Sequence, residues 1–322
     1  MGNKGTLTLR YKQKNNRSNP CNMIDIDQLD DTFSIEGEVG FAELEYDLAF
    51  VTVSNKYADA DICLYGAHVT SFRPHNTMDI LWMSPQSNFQ VGFPIRGGIP
   101  VCFPWFGPNK TDPEKPMHGF GRLMYWDVAE TASLPSGETL VRLQLCSSEE
   151  TKAYWPHDFR AEMSITVGRT LTTTLKVSNT SGEPFEYTCA LHSYFNLSLI
   201  DNISITGLQN TAYHNQLDGS DGFQDTEKLE IAQPETRHYY NTEATCVIED
   251  PVFRRNIRVE KSGSKITTVW NPGEEFCLKM VDLPDDGYQT FVCVETVNAF
   301  EDVIRVAPGE SHETTVIIGL EE

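Results

Sequence analysis

The chain has 322 residues, 39% hydrophobic and 22% charged, which excludes a disordered polyelectrolyte and fits a globular protein. Its charge is −21, from 25 Lys and Arg against 46 Asp and Glu. The first 20 residues hold five basic side chains (Lys4, Arg10, Lys12, Lys14, Arg17) and no acidic one, so the rest carries 20 against 46, or −26, which excludes nucleic acid as a partner and repels anionic lipid.

Residues 1–35 are polar, Asn-rich and without period, and are expected to form a flexible extension ahead of a single domain at 36–322. The chain opens Met1-Gly2-Asn3-Lys4-Gly5-Thr6. That pattern fits N-myristoylation at Gly2, and equally a plain polar tail; membrane attachment is expected only if Gly2 is acylated. No apolar stretch near the start reads as a secretory signal, and no run of eighteen apolar residues reads as a membrane helix.

Short alternating runs dominate from residue 36 onward. Strands are expected at 47–54, 60–66, 124–130 and 139–146. The cleanest runs over 158–168, where Phe159, Ala161, Met163, Ile165 and Val167 share one face and Arg160, Glu162, Ser164 and Thr166 the other. Leu171, Thr173, Leu175 and Val177 repeat that period of two after a turn at Gly168-Arg169. Further strands are expected at 185–191, 203–207, 245–249, 256–260, 265–270, 290–295 and 313–319. With no long 3.6-period helix between them, the fold class is all-β, an antiparallel sandwich or barrel rather than a βαβ fold.

Two segments break the strand pattern and are candidate site loops: the Gly- and Pro-rich residues 92–122, and residues 188–202. The eight cysteines, at 21, 63, 102, 146, 189, 246, 277 and 293, form no C-x-x-C pair. Several sit in apolar runs, so buried reduced thiols in a cytoplasmic protein are expected. The histidines lack close metal-ligand spacing, and no P-loop, G-x-G-x-x-G or H-E-x-x-H occurs, so no metal or cofactor is expected.

Four chemistry-bearing residues stand out, each with two readings. His192, in Ala190-Leu191-His192-Ser193-Tyr194-Phe195, is either a satisfied core imidazole or a general acid. Glu295 shares a face with Phe291 and Cys293. It either points to water at a strand end or is a working carboxylate in an apolar strand. Arg96, ahead of Gly97-Gly98, and Arg122, after His118-Gly119-Phe120-Gly121, are either surface arginines or a pair converging on an anion.

Eight segments, in order over about residues 40–320, resemble the hexose-6-phosphate mutarotases (glucose-6-phosphate 1-epimerases) of the aldose 1-epimerase superfamily. They are GAHVTSF at 66–72, LWMS at 81–84, PIRGGIPVCFPWFGPN at 94–109, HGFGR at 118–122, ALHSYFN at 190–196, VWNP at 269–272, DDGYQTFVCVE at 285–295 and PGES at 308–311. The resemblance implies a galactose-mutarotase-like β-supersandwich. It implies a sugar-phosphate substrate, His192 as general acid, Glu295 as general base, Arg96 and Arg122 in phosphate binding, and His118 near the sugar. Interconverting anomers by ring opening needs no redox step, so the resemblance implies no cofactor and no metal. The chain is expected to act as a monomer.

The sequence departs from the family at three places. Gly121 replaces an alanine of the H-G-F-A-R motif, and Met117 stands where some members carry glutamine. Arg237 stands where members carry an aspartate, so an acidic contact is either lost or moved to Glu235. Two other readings stay open: a mutarotase of free hexoses, and a non-catalytic carbohydrate-binding β-sandwich.

Overall fold

Alternation of apolar and polar residues makes strands, and the computed structural model builds two large antiparallel sheets from them. It describes residues 24–43, 48–231 and 234–321. One sheet, here the flanking sheet, has eight strands in the spatial order Ser204–Thr206, Cys246–Asp250, Arg255–Ser262, Ser311–Leu320, Leu171–Asn179, Phe159–Val167, Thr139–Cys146, Asp127–Ser133. The other, the site sheet, runs Ser220–Gln224, Thr211–Asn215, Glu235–Tyr239, Ile266–Asn271, Phe291–Asn298, Cys189–Leu191, Val101–Cys102, with Tyr194–Asn196 also on Phe291–Asn298. A four-stranded meander precedes both: Val39–Glu43, Ala49–Ser54, Ala58–Cys63 and His68–Pro74.

The expected alternation is observed. Phe159, Ala161, Met163, Ile165 and Val167 are all buried, and their strand pairs with Leu171–Asn179 across the turn. The expected segment 185–191 is two short strands, Phe185–Tyr187 and Cys189–Leu191, in different sheets. Strands at His68–Pro74, Thr211–Asn215, Ser220–Gln224, Glu235–Tyr239 and Ile304–Val306 had no counterpart in the sequence reading. They are either polar enough to hide their period or, as in Ile304–Val306, too short to show one.

The segment expected to be a flexible extension, residues 1–35, falls only partly on described residues. Residues 1–23, with Gly2 and the basic side chains, lie outside the described residues. Residues 26–33, however, form a helix, Ile26–Phe33, capped where Asp25 accepts from the Gln28 amide. Ile26, Leu29 and Phe33 lie at helical spacing and pack against the main core. Asp30 accepts from the Phe41 amide at 3.0 Å, tying the helix to the meander.

That core fills the space between the sheets. It takes Val141, Met163 and Ile318 from the flanking sheet, and Val269, Val292 and Val294 from the site sheet. The other face of the site sheet carries a second apolar cluster of Trp82, Tyr194, Cys277, Leu283, Phe291 and Cys293. Phe291–Asn298 is therefore covered on both faces, and all eight of its residues are buried.

Candidate active site

Glu295 follows Phe291 and Cys293 onto the face of that second cluster. It is 2% exposed, in mid-strand, so it does not point to water. Opposite it, Leu191 pairs with Thr296, and Tyr194 pairs with Cys293. The two residues between, His192 and Ser193, are thus carried past Glu295 and Val294. The register brings His192 Nε2 to 3.3 Å from Glu295 Oε1.

Packing then fixes the imidazole. Its ring lies parallel to Tyr194, with centroids 4.9 Å apart and planes 12° apart. Trp270 and His118 present ring edges at 5.8 and 6.0 Å. The His192 amide donates to the Pro100 carbonyl at 3.1 Å. His192 Nδ1 and Glu295 Oε2 are buried with no hydrogen-bond partner.

Burial decides the charge of this pair. It pushes the Glu295 carboxyl well above its ordinary range. It pulls His192 well below its own, and His118, Arg96 and Arg122 act in the same direction. The pair therefore holds a single proton: adding a second creates a buried cation, and removing the first a buried anion.

Residues 92–122 are sewn to their surroundings by bridges from Met83 to Gly97 and Val69 to Ile99, and to themselves by one from Phe103 to Gly119. Two glycines permit this. At Gly98, φ is +61° and a Cβ would sit 2.2 Å from the Val69 carbonyl oxygen; at Gly119, φ is +76° and a Cβ would sit 2.1 Å from that of Phe103. The first holds Arg96 in place, and the second His118 and Arg122.

Arg96 reaches Asp282 Oδ2 through Nε at 3.0 Å and Nη2 at 2.9 Å, and donates from Nη1 to the Tyr194 hydroxyl at 3.0 Å. Burial works against its charge; Tyr194 and Asp282 more than offset that. Arg122 donates from Nη2 to the Met117 carbonyl at 2.7 Å, and its buried Nε has no partner. No ion pair to Arg122 occurs among the described residues. Burial pulls its pKa down, and Arg96 adds to the effect.

His118 sits at φ +64° and accepts the Gly107 amide on Nδ1 at 3.1 Å. Burial, with Arg122 and Arg96, pulls it down to about 3. It is therefore a neutral imidazole whose proton sits on Nε2, a donor. Met117 is 51% exposed, and it serves Arg122 through its backbone carbonyl instead.

Of the two alternatives for the acidic contact, its move to Glu235 does not fit the strand register. His238 pairs with Thr268, which pairs with Glu295, so these three share the site face. Strand alternation puts Glu235 and Arg237 on the opposite face. There Arg237 Nε lies 3.2 Å from Glu235 Oε1, and the guanidinium sits 4.7 Å over Tyr213. Neither is a neighbour of the pair on its own side. His238 occupies the site face, held by Thr268 Oγ1 and Gln216 Oε1, each at 2.8 Å.

Sequence reasoning missed Asp282, the role of Tyr194, and buried His68, whose Nε2 lies 2.7 Å from the Gly97 carbonyl oxygen. His68 and Tyr194 lie in the motifs of the resemblance but carry no chemical signature; Asp282 lies in an Asp-rich stretch around Pro284 that reads as a turn. Among the described residues no group of three His, Cys, Asp or Glu could hold a metal ion. A groove lined by Ile200, Asn202, Lys228, Glu249 and Pro251 contains none of these site residues.

A family model described as aldose 1-epimerase matches residues 49–319. A protein of Salmonella typhimurium provisionally named glucose-6-phosphate 1-epimerase is 38% identical over 254 residues, 79% of this chain and 84% of its own. One of Escherichia coli with the same provisional name is 38% identical over 263 residues, 79% of this chain and 85% of its own. The crystal structure of a provisionally named mutarotase, YeaD, from Salmonella typhimurium matches with a TM-score of 0.84 at 33% identity, over 90% of this chain and 96% of that one. The family model spans most of the chain, and the two bacterial relatives are each 38% identical to it: this chain belongs to the aldose 1-epimerase family.

Proposed function

We propose that this isomerase interconverts the α and β anomers of a hexose 6-phosphate, glucose 6-phosphate first among them. The observation that carries the reading is the buried His192–Glu295 pair, 3.3 Å apart, with Arg96 and Arg122 near enough to bias its protonation. The shared provisional name of the two bacterial relatives supports the phosphorylated substrate.

Glu295 takes the proton from the C1 hydroxyl while His192 gives one to the ring oxygen, and the C1–O5 bond opens to the aldehyde. The pair's proton has then moved from imidazole to carboxyl. Rotation about C1–C2 presents the other carbonyl face. His192 takes the proton from the attacking O5 hydroxyl, Glu295 returns one to O1, and the ring recloses as the other anomer. One proton resides on the pair throughout, on the imidazole while the ring is closed and on the carboxyl while it is open. Each proton-transfer group contributes roughly 10²–10⁴-fold. Arg96 and Arg122 hold the phosphate, and neutral His118 donates from Nε2 to the sugar.

The acidic surface leaves a local cationic pocket as the anion site, with no role for nucleic acid. We place the protein in the cytoplasm as a monomer; six buried, unpaired cysteines among the described residues support a reducing compartment. No described helix is long and apolar enough to cross a membrane. Membrane attachment enters the proposal only through acylation of Gly2.

The test dissolves crystalline α-glucose 6-phosphate and follows anomerisation by optical rotation or exchange NMR, with and without protein, and repeats it with free glucose and galactose. Acceleration of the phosphosugar above both free sugars supports the proposal. Equal acceleration makes it a general mutarotase, and none makes it a binding protein.

A further inference from the structure

Two arginines serve one anion pocket with unequal company. Arg96 engages Asp282 through Nε and Nη2, and both segments are locked around that contact. The Ser84 hydroxyl donates to the Asp282 carbonyl at 2.6 Å, and the Arg96 amide donates to the Ser87 hydroxyl at 2.7 Å. Leu283, next to Asp282, is anchored in the apolar cluster with Trp82 and Tyr194. Asp282 itself is buried, so its carboxylate is not a surface partner that water would screen. Arg122 has the Met117 carbonyl and no carboxylate.

We infer that Asp282 is a positioning residue for phosphate recognition: it clamps the Arg96 guanidinium and offsets its charge, leaving Arg122 as the pocket's uncompensated cation. The inference rests on the functional reading above and adds a residue that makes no substrate contact of its own. The clamp uses one edge of the guanidinium and Tyr194 takes part of the other, so the remaining N–H groups meet the phosphate in one geometry. Without Asp282 the long side chain must be ordered when substrate binds.

The same arrangement gives Asp282 opposite effects in two backgrounds. With Arg96 present, Asp282 helps the phosphate by holding its ligand. With Arg96 removed, Asp282 is a bare buried carboxylate beside an incoming phosphate, and it repels it.

Wild type, Asp282→Ala, Arg96→Ala and the double variant are assayed on glucose 6-phosphate and free glucose by exchange NMR, with thermal melts to establish folding. In the wild-type background, Asp282→Ala raises KM for glucose 6-phosphate by about tenfold, the scale of one charge-assisted hydrogen bond, and changes kcat less. The kcat/KM ratio shifts toward free glucose. In the Arg96→Ala background the same change lowers KM for glucose 6-phosphate. A double variant no better than Arg96→Ala, or an equal fall for both sugars in Asp282→Ala, overturns the inference. Should Asp282→Ala fail to fold, Asp282→Asn takes its place in both backgrounds with the same expected signs. A wild type inactive on glucose 6-phosphate overturns the functional reading itself, so the two failures are distinguishable.

Discussion

His192 lies flat against Tyr194, 4.9 Å between ring centroids, while the Tyr194 hydroxyl accepts from Arg96 at 3.0 Å. One side chain thus touches both the proton-transfer pair and the anion-binding arm.

Those two contacts separate by substitution. Tyr194→Phe keeps the stack and loses the hydroxyl, so KM for glucose 6-phosphate rises several-fold with kcat near wild type. Tyr194→Leu loses the flat surface, and the imidazole can rotate away from Glu295. A misplacement of about 1 Å can cost roughly 10²-fold in rate, so kcat falls in Tyr194→Leu far more than in Tyr194→Phe. Steady-state anomerisation kinetics for both variants checks the split; equal kcat in the two removes Tyr194 from the orientation of His192.

His192→Asn and Glu295→Gln preserve approximate shape and remove proton transfer. Each lowers kcat by at least about 10²-fold, the lower bound for a general acid or base. The double variant is little worse than either single one, because one proton shuttles between the two groups and neither works alone. Near-wild-type kcat in either variant excludes that residue from the mechanism.

The pair also makes stability depend on pH, with opposite signs. Glu295 has its pKa raised by burial, so above the ordinary carboxylate range the folded state binds a proton that the unfolded state releases, and stability falls as pH rises. His192 has its pKa lowered, so below the ordinary histidine range the unfolded state binds the extra proton, and stability falls as pH falls. Glu295→Gln therefore raises the melting temperature more at pH 8 than at pH 4. His192→Asn raises it more at pH 5 than at pH 8. Melting curves across that range for the two variants check the crossing, and parallel curves would falsify the assigned directions.

The sequence already carried the parts of this site that alternation can express. A period of two over Phe291–Glu295 put Glu295 on one face with Phe291 and Cys293, where it lies. Register is not visible in that way. His192 meets Glu295 because Leu191 and Tyr194 flank it on the same partner strand, a long-range pairing with no local signature. Glu235 shows the limit again. Counting reached Arg237, and Glu235, two residues away, shares its face; the residue on the site face is the next one, His238, because a one-residue step along a strand reverses the face. The helix Ile26–Phe33 escaped notice because its three apolar residues are diluted by Asp27, Asp30 and Asp31. Asp282 was silent because an aspartate in the stretch Asp282-Leu283-Pro284-Asp285-Asp286-Gly287 looks like any turn residue; only its buried contact with Arg96 distinguishes it.

Substrate charge is tested at the arginines. Outside the first 20 residues the chain carries −26, a field that pushes a phosphosugar away, so binding depends on local cations. A hydrogen bond to a charged group contributes about 1.5–3 kcal/mol, and each 1.4 kcal/mol is about a factor of ten. Arg96→Ala and Arg122→Ala therefore each lower kcat/KM for glucose 6-phosphate by about 10–100-fold. Free glucose has no phosphate to lose and changes far less. Lysine should separate the two positions. Arg96 uses its planar fork on Asp282 and Tyr194, which an ammonium cannot reproduce, so Arg96→Lys recovers little. Arg122 makes one bond, to a carbonyl, and otherwise supplies charge, so Arg122→Lys recovers more. The measurement is kcat/KM on both sugars for the four variants. Equal losses on glucose and glucose 6-phosphate would mean that the arginines support the fold or the sugar ring, and the phosphate-specific role would fall.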